Sequence, residues 1–128
     1  MKKLLGILLI ICIITSLAGC DLFFGAYEKI SAEELKQMMD DEEIFVILDI
    51  RSAMEYDRGH IEGAINIPAE ELEEQAEEMI QSKSTPIIVY CKNGTRTGKA
   101  IRTLEKLGYT RVKSLGGISD WPYETVKS

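Results

Sequence analysis

The sequence is short of histidine, cysteine and positive charge, and each shortage removes a class of function. One histidine and three cysteines, the latter at positions 12, 20 and 91, offer no usual zinc constellation. Lys and Arg number 15 against 21 Asp and Glu, for a net charge of −6. Nucleic acid, whose phosphates call for a basic patch, is a poor partner for such a chain. No Pro/Gly/Ser-rich stretch, internal repeat or low-complexity segment divides the 128 residues. These absences point to a single domain, and an apolar content of 45% is enough to give it a core.

Cys91-Lys92-Asn93-Gly94-Thr95-Arg96-Thr97 is the stretch around which the rest is organised. It follows the apolar run Pro86 to Tyr90 and precedes a helical pattern, Gly98 to Leu107, so it reads as a loop between a buried strand and a helix N-terminus. Loop N–H groups and the first helical turn converge there, and Lys92 and Arg96 add positive charge. A cysteine in that position is placed to act as a thiolate nucleophile.

The first twenty residues differ in kind. Met1-Lys2-Lys3 is a short basic start, Leu4 to Leu17 is almost wholly apolar, and Leu17-Ala18-Gly19-Cys20 ends the segment with small residues before a cysteine. The run is shorter than the roughly 20 residues that cross a bilayer, which favours a cleaved export signal over a permanent span. The four residues ending at Cys20 resemble a bacterial lipoprotein signal. That resemblance implies a signal peptide over residues 1–19, a lipidated Cys20 with a short tether over 20–26, and a domain over 27–128. Two acyl chains satisfy the requirement for stable anchoring. Cys91 is then the one free thiol, no internal disulfide forms, and the loss of Lys2 and Lys3 leaves 13 positive against 21 negative side chains. A lone thiol in an oxidising compartment is a hazard unless it is used.

Between these segments strands and helices alternate. Tyr27 to Ile30 reads as a first strand. Ser31 and Glu34 form a capping box for a helix over Ala32 to Asp40, with Leu35, Met38 and Met39 on one face. Ile44 to Leu48 is a run of β-formers suited to a central parallel strand, and it delivers Asp49 and Arg51 to the strand's C-terminal edge, where ligand crevices of open α/β sheets lie. Ser52 and Glu55 make a second capping box for a short helix ending near Arg58 and Gly59. Ala64 to Pro68 reads as a short strand, and Glu70 to Gln81 as a helix that buries Leu72, Ala76, Met79 and Ile80 and presents its glutamates to solvent. Gly108 closes the helix after the Cys91 loop. Tyr109 to Leu115 contains the last strand, and Gly116-Gly117 turns the chain. The alternation implies a parallel sheet with right-handed crossovers in a three-layer α/β/α domain.

Asp49-Ile50-Arg51, Glu55-Tyr56, Gly59 to Pro68, the Cys91 to Thr97 loop, Leu115-Gly116-Gly117 and Trp121 together resemble a single-domain rhodanese, a sulfurtransferase. The resemblance runs in order from about Tyr27 to Trp121. It implies a five-stranded parallel sheet of order 1-5-4-2-3 and a cysteine, Cys91, that carries sulfur as a persulfide. It implies that Cys91 attacks the outer sulfur of a donor such as thiosulfate and passes it to cyanide or a thiol. Lys92 and Arg96 then attract a small anionic sulfur donor, with Arg96 also shaping the loop, while Asn93, Gly94, Thr95 and Thr97 complete the cradle. Asp49 is a structural partner first, and Arg51 a candidate substrate contact. His60 is expected to be structural and Trp121 to be core or pocket wall. No cofactor or metal is called for.

Phosphatases of the related cell-cycle class and some arsenate reductases resemble this architecture but use Cys-x-x-x-x-x-Arg, one residue longer than the Cys91 to Arg96 spacing. The shorter cradle suits sulfur better than a tetrahedral phosphate. A thiol or persulfide relay, or a binding module working with a protein sulfur acceptor, is the alternative. The expected location is the cell membrane, lipid-anchored and facing the extracytoplasmic side, either periplasm or cell surface.

Overall fold

The computed structural model describes residues 27–128; the expected signal segment, the lipidation at Cys20 and the tether lie outside the described residues. Five strands form one parallel sheet: β1 (Glu28–Lys29), β2 (Val46–Asp49), β3 (Ile65–Asn66), β4 (Ile87–Cys91) and β5 (Val112–Gly117), in the order β1-β5-β4-β2-β3. Four helices connect them: α1 (Ala32–Asp40), α2 (Ala53–Arg58), α3 (Leu72–Met79) and α4 (Thr97–Lys106). This is the fold and strand order that the family resemblance implied.

Alternation along the central strands sends side chains to two cores. Leu48, Ile87, Val89 and Cys91 pack with Leu72, Ala76 and Ile80 around α3 and with Ala100, Ile101 and Leu104 of α4. Ile47, Ile88 and Tyr90 face the other way, against Leu35 of α1, Ile61, Leu115 and Trp121. The result is three layers with helices on both faces.

Local chemistry sets the helix starts. Ser31 Oγ accepts from Glu34 N–H and Glu34 Oε2 from Ser31 N–H, both at 3.0 Å, a complete capping box. Fully buried Leu35 then docks α1, a contribution of about 1.5 to 3 kcal/mol. At α2 only half of the expected box forms. Ser52 Oγ caps Glu55 N–H at 3.2 Å, but the Glu55 carboxylate takes the Ser52 hydroxyl rather than its amide. Leu107 caps α4, and Gly108 follows in the left-handed region at φ +101°.

Several expected boundaries shift. Ile44 is 91% exposed and precedes β2 instead of opening it. The helix expected over Glu70 to Gln81 is a 3-10 turn, Ala69–Glu71, followed by α3, and Met79 is exposed while Leu72, Ala76 and Ile80 are buried. Thr97 belongs to α4.

The largest correction is at the sheet edge. Cys91 is the last residue of β4, not the first of a loop, and Gly116-Gly117 are strand residues, not a turn. Tyr90 pairs with Gly116 and Cys91 with Gly117, after a bulge that leaves Leu115 as the extra residue. The glycine pair extends the strand because the chain beyond Cys91 crosses it closely. A Cβ on Gly117 would sit 2.6 Å from both Asn93 Cα and Lys92 O.

Candidate active site

Cys91 ends a strand buried over its whole length and is itself 3% exposed. Among the described residues it is the free cysteine. The chain leaves the sheet through Lys92 and Asn93, turns at Gly94 in the left-handed region (φ +86°), and enters α4 at Thr97. Gly94 N–H donates to Cys91 Sγ at 2.9 Å. A donor aimed at sulfur stabilises the anionic form of either a thiolate or a persulfide.

That donor is held from behind. Gly116 N–H donates to Ser114 Oγ (3.0 Å), Ser114 Oγ to Thr97 Oγ1 (2.9 Å), and Thr97 Oγ1 to the Gly94 carbonyl (3.0 Å). Thr97 is fully buried and Ser114 is 3% exposed, so the chain of hydrogen bonds runs where polar groups must be paired. Asn93 Oδ1 accepts from the Thr95 amide at 3.3 Å and hydroxyl at 2.8 Å, which closes the outer part of the turn.

A cavity of about 290 Å³ opens over this edge. Cys91, Lys92, Asn93, Thr95 and Arg96 line it from the end of β4 and the turn into α4, Ile50, Arg51, Ser52 and Glu55 from the segment after β2, and Glu70 from the 3-10 turn after β3. Of the residues expected at the site, Gly94 and Thr97 act from outside the cavity, through backbone and packing. Asp49 is also outside it. It is fully buried at the end of β2 and accepts from Arg51 N–H (2.8 Å), Nε (3.1 Å) and Nη2 (2.7 Å).

Arg51 lines the cavity, yet its guanidinium is largely committed. Nη2 also donates to the Gly59 carbonyl at 2.7 Å, and Cζ lies 5.7 Å from the Tyr90 ring centroid. Burial by itself would lower the Arg51 pKa. Hydrogen bonding to Asp49 and the charge of that carboxylate outweigh it and hold Arg51 above its ordinary value. Arg96 extends outward, with Nη1 3.5 Å from Glu70 Oε1.

His60 is apart from the cavity. Its Nδ1 lies 2.8 Å from the Tyr56 carbonyl, its ring stacks on Tyr56 at 3.7 Å, and its backbone bridges to Val126, as suits a structural histidine. Trp121 is packed in the α1-side core and lines a different cavity. Among the described residues no group of three His, Cys, Asp or Glu side chains could hold a metal ion.

Sequence reasoning missed Glu55, Glu70 and Ser114 as parts of the site. The sequence marks Glu55 as a helix cap and as part of the family resemblance without a role at the site, and Glu70 as one of the glutamates on a solvated face. Ser114, a lone hydroxyl in a buried strand just before the glycine pair, was the one readable signal of a buried polar link.

A strand-terminal cysteine with an amide aimed at its sulfur, on a doubly covered parallel sheet of order 1-5-4-2-3, defines a cysteine-centred α/β domain. The chain belongs to the rhodanese-like domain family, whose model matches residues 31–123. It is 36% identical over 80 residues to thiosulfate sulfurtransferase PspE of Escherichia coli K12, covering 62% of this chain and 77% of that protein. Over 98 residues it is 37% identical to YrkF, a candidate sulfur carrier protein of Bacillus subtilis, covering 76% of this chain. The chain spans only 52% of YrkF's length. The crystal structure of the Alr3790 protein from Anabaena sp. superposes with a TM-score of 0.72 at 32% identity, covering 77% of this chain and 82% of that one. Sulfur transfer is the activity these relatives support at the level of the family.

Proposed function

We propose that the protein moves sulfane sulfur from thiosulfate or a related persulfide donor to a thiophilic acceptor through a persulfide on Cys91. The observation that carries this is the Gly94 amide aimed at Cys91 Sγ at the floor of a small cavity. The Cys91 thiolate attacks the outer sulfur of thiosulfate, the Sγ–S bond forms as the donor S–S bond breaks, and sulfite leaves with the bonding electron pair. Cyanide or a thiolate then takes the outer sulfur and restores the thiolate. Charge is conserved in both steps and no proton is abstracted, so a general base is not required. Lys92 and Arg96 orient the donor, and Asn93, Gly94, Thr95 and Thr97 keep the loop in shape. Asp49 keeps Arg51 in place at the cavity wall.

The likeness to YrkF supports a second reading in which Cys91 relays sulfur to a protein partner. In either case the lipoprotein-like ending Leu17-Ala18-Gly19-Cys20 supports a domain tethered to the membrane through Cys20 on its extracytoplasmic side. Thiocyanate production from thiosulfate and cyanide tests the activity. The purified chain is expected to turn over and Cys91→Ala to fall to the uncatalysed background. Equal rates in the two proteins would remove Cys91 from the chemistry.

A further inference from the structure

The cavity over Cys91 carries negative as well as positive charge. Glu55 comes from α2 and Glu70 from the 3-10 turn before α3, and both line it together with Arg51, Lys92 and Arg96. Arg51 is paired with buried Asp49 at 2.7 Å, and Arg96 with Glu70 at 3.5 Å. Among the described residues Lys92 has no carboxylate at ion-pair distance. The walls are therefore close to charge balance. A dianion such as thiosulfate meets two carboxylates, one arginine engaged by Asp49 and another engaged by Glu70, which leaves Lys92, among the described residues, as the lining cation without a carboxylate to receive a doubly charged donor.

We infer that Glu70, supported by Glu55, selects against dianionic donors and in favour of donors that carry an ammonium group near the sulfane sulfur, the class of amino-acid persulfides. The inference rests on sulfur transfer at Cys91 and specifies its substrate. Such a donor is a zwitterion apart from its persulfide. Its carboxylate suits Lys92 and its ammonium suits Glu70 and Glu55. The Cys91 thiolate attacks the donor's outer sulfur, the new Sγ–S bond replaces the donor S–S bond, and the amino-acid thiolate leaves with the electron pair. Atoms and charge balance without an oxidant. Glu70 and Arg96 are 75% and 67% exposed, so their pair contributes little to folding and Glu70 can be replaced without disturbing the core.

The test is single-turnover sulfur loading of the purified full chain, followed by intact mass, from thiosulfate and from freshly prepared cysteine persulfide. Glu70→Gln is expected to raise the thiosulfate rate about threefold to tenfold and to lower the cysteine persulfide rate, as removal of one nearby unit charge implies. Both shifts shrink in roughly 1 M salt, where the Debye length falls to about 3 Å. An unchanged ratio of the two rates in Glu70→Gln overturns the inference and leaves sulfur transfer standing. A changed ratio that persists at high salt assigns Glu70 a role in shape and overturns the charge account. Failure of the wild-type chain to load from either donor overturns sulfur transfer and the selectivity with it.

Discussion

Strands β2 and β4 lie side by side and end at the same edge of the sheet, yet their ends are built to opposite purposes. β2 ends in Asp49, whose carboxylate is buried and saturated by three donors from Arg51. β4 ends in Cys91, whose sulfur receives one amide and otherwise faces a cavity. One end spends its charges on itself and the other keeps its reactive atom available. Neighbouring strand ends at one sheet edge can thus divide the work, with Asp49 supplying rigidity from behind the cavity and Cys91 presenting the sulfur of the proposed chemistry.

Breaking the β2 end should have the largest effect on stability. Asp49→Ala leaves the Arg51 guanidinium, 8% exposed, without its carboxylate, and should cost about 3 to 5 kcal/mol in denaturant unfolding. An effect below 1 kcal/mol would mean that the pair is not a structural anchor. Disturbing the β4 end, through Gly117 of β5 that pairs with Cys91, should cost less stability and more activity. Gly117→Ala places a methyl group 2.6 Å from the Lys92 carbonyl and should cost about 1 to 3 kcal/mol. A loop displaced by about an ångström should lose on the order of a hundredfold in sulfur transfer. Wild-type turnover in Gly117→Ala would show that the glycine crossing does not position the sulfur.

The smallest expected effect sharpens the comparison at Tyr90, which links the two ends. Its ring lies under Arg51 and its hydroxyl accepts from Ile61 N–H at 3.2 Å. Burial raises its pKa well above the ordinary tyrosine value, with the charge of Asp49 adding to the rise. Burial raises Tyr109 too. Because the folded state holds these phenols neutral, their contribution is complete below about pH 10 and is lost as pH climbs above the unfolded value toward the folded one. Melting temperature should therefore fall with rising pH in that window, with a shallower slope in Tyr90→Phe. A slope unchanged by that substitution would remove Tyr90 as a source.

How much of this was legible in the sequence depended on the range of the forces involved. Ser31 and Glu34 are three residues apart, and their capping box was readable because it is local. Strand order was not contained in any periodicity and came only with the family resemblance. Gly116-Gly117 looked like a turn because glycine pairs usually are. Pairing with Tyr90 and Cys91 and the close passage of Asn93 made them strand instead. Ile44 looked like strand by composition, but β2 pairs with β4 only from Val46 onward. Glu70 looked like one glutamate among many on a solvated helix. Its approach to Arg96, 26 positions along the chain, exists only once β3 and β4 have been placed. The placement of Cys91 between a buried strand and a helix start was readable from its neighbours, and the charge of its surroundings was not.

The central claim is that sulfur resides on Cys91 during transfer, and the most direct measurement is the intact mass of the purified chain after incubation with a sulfane donor, with the modified residue located by peptide mapping. Gain of one sulfur atom on the peptide bearing Cys91, its loss on adding cyanide, and its absence in Cys91→Ala are the predicted results. A chain that turns over donor without ever carrying sulfur at Cys91, or that carries it with equal yield in Cys91→Ala, would contradict the account.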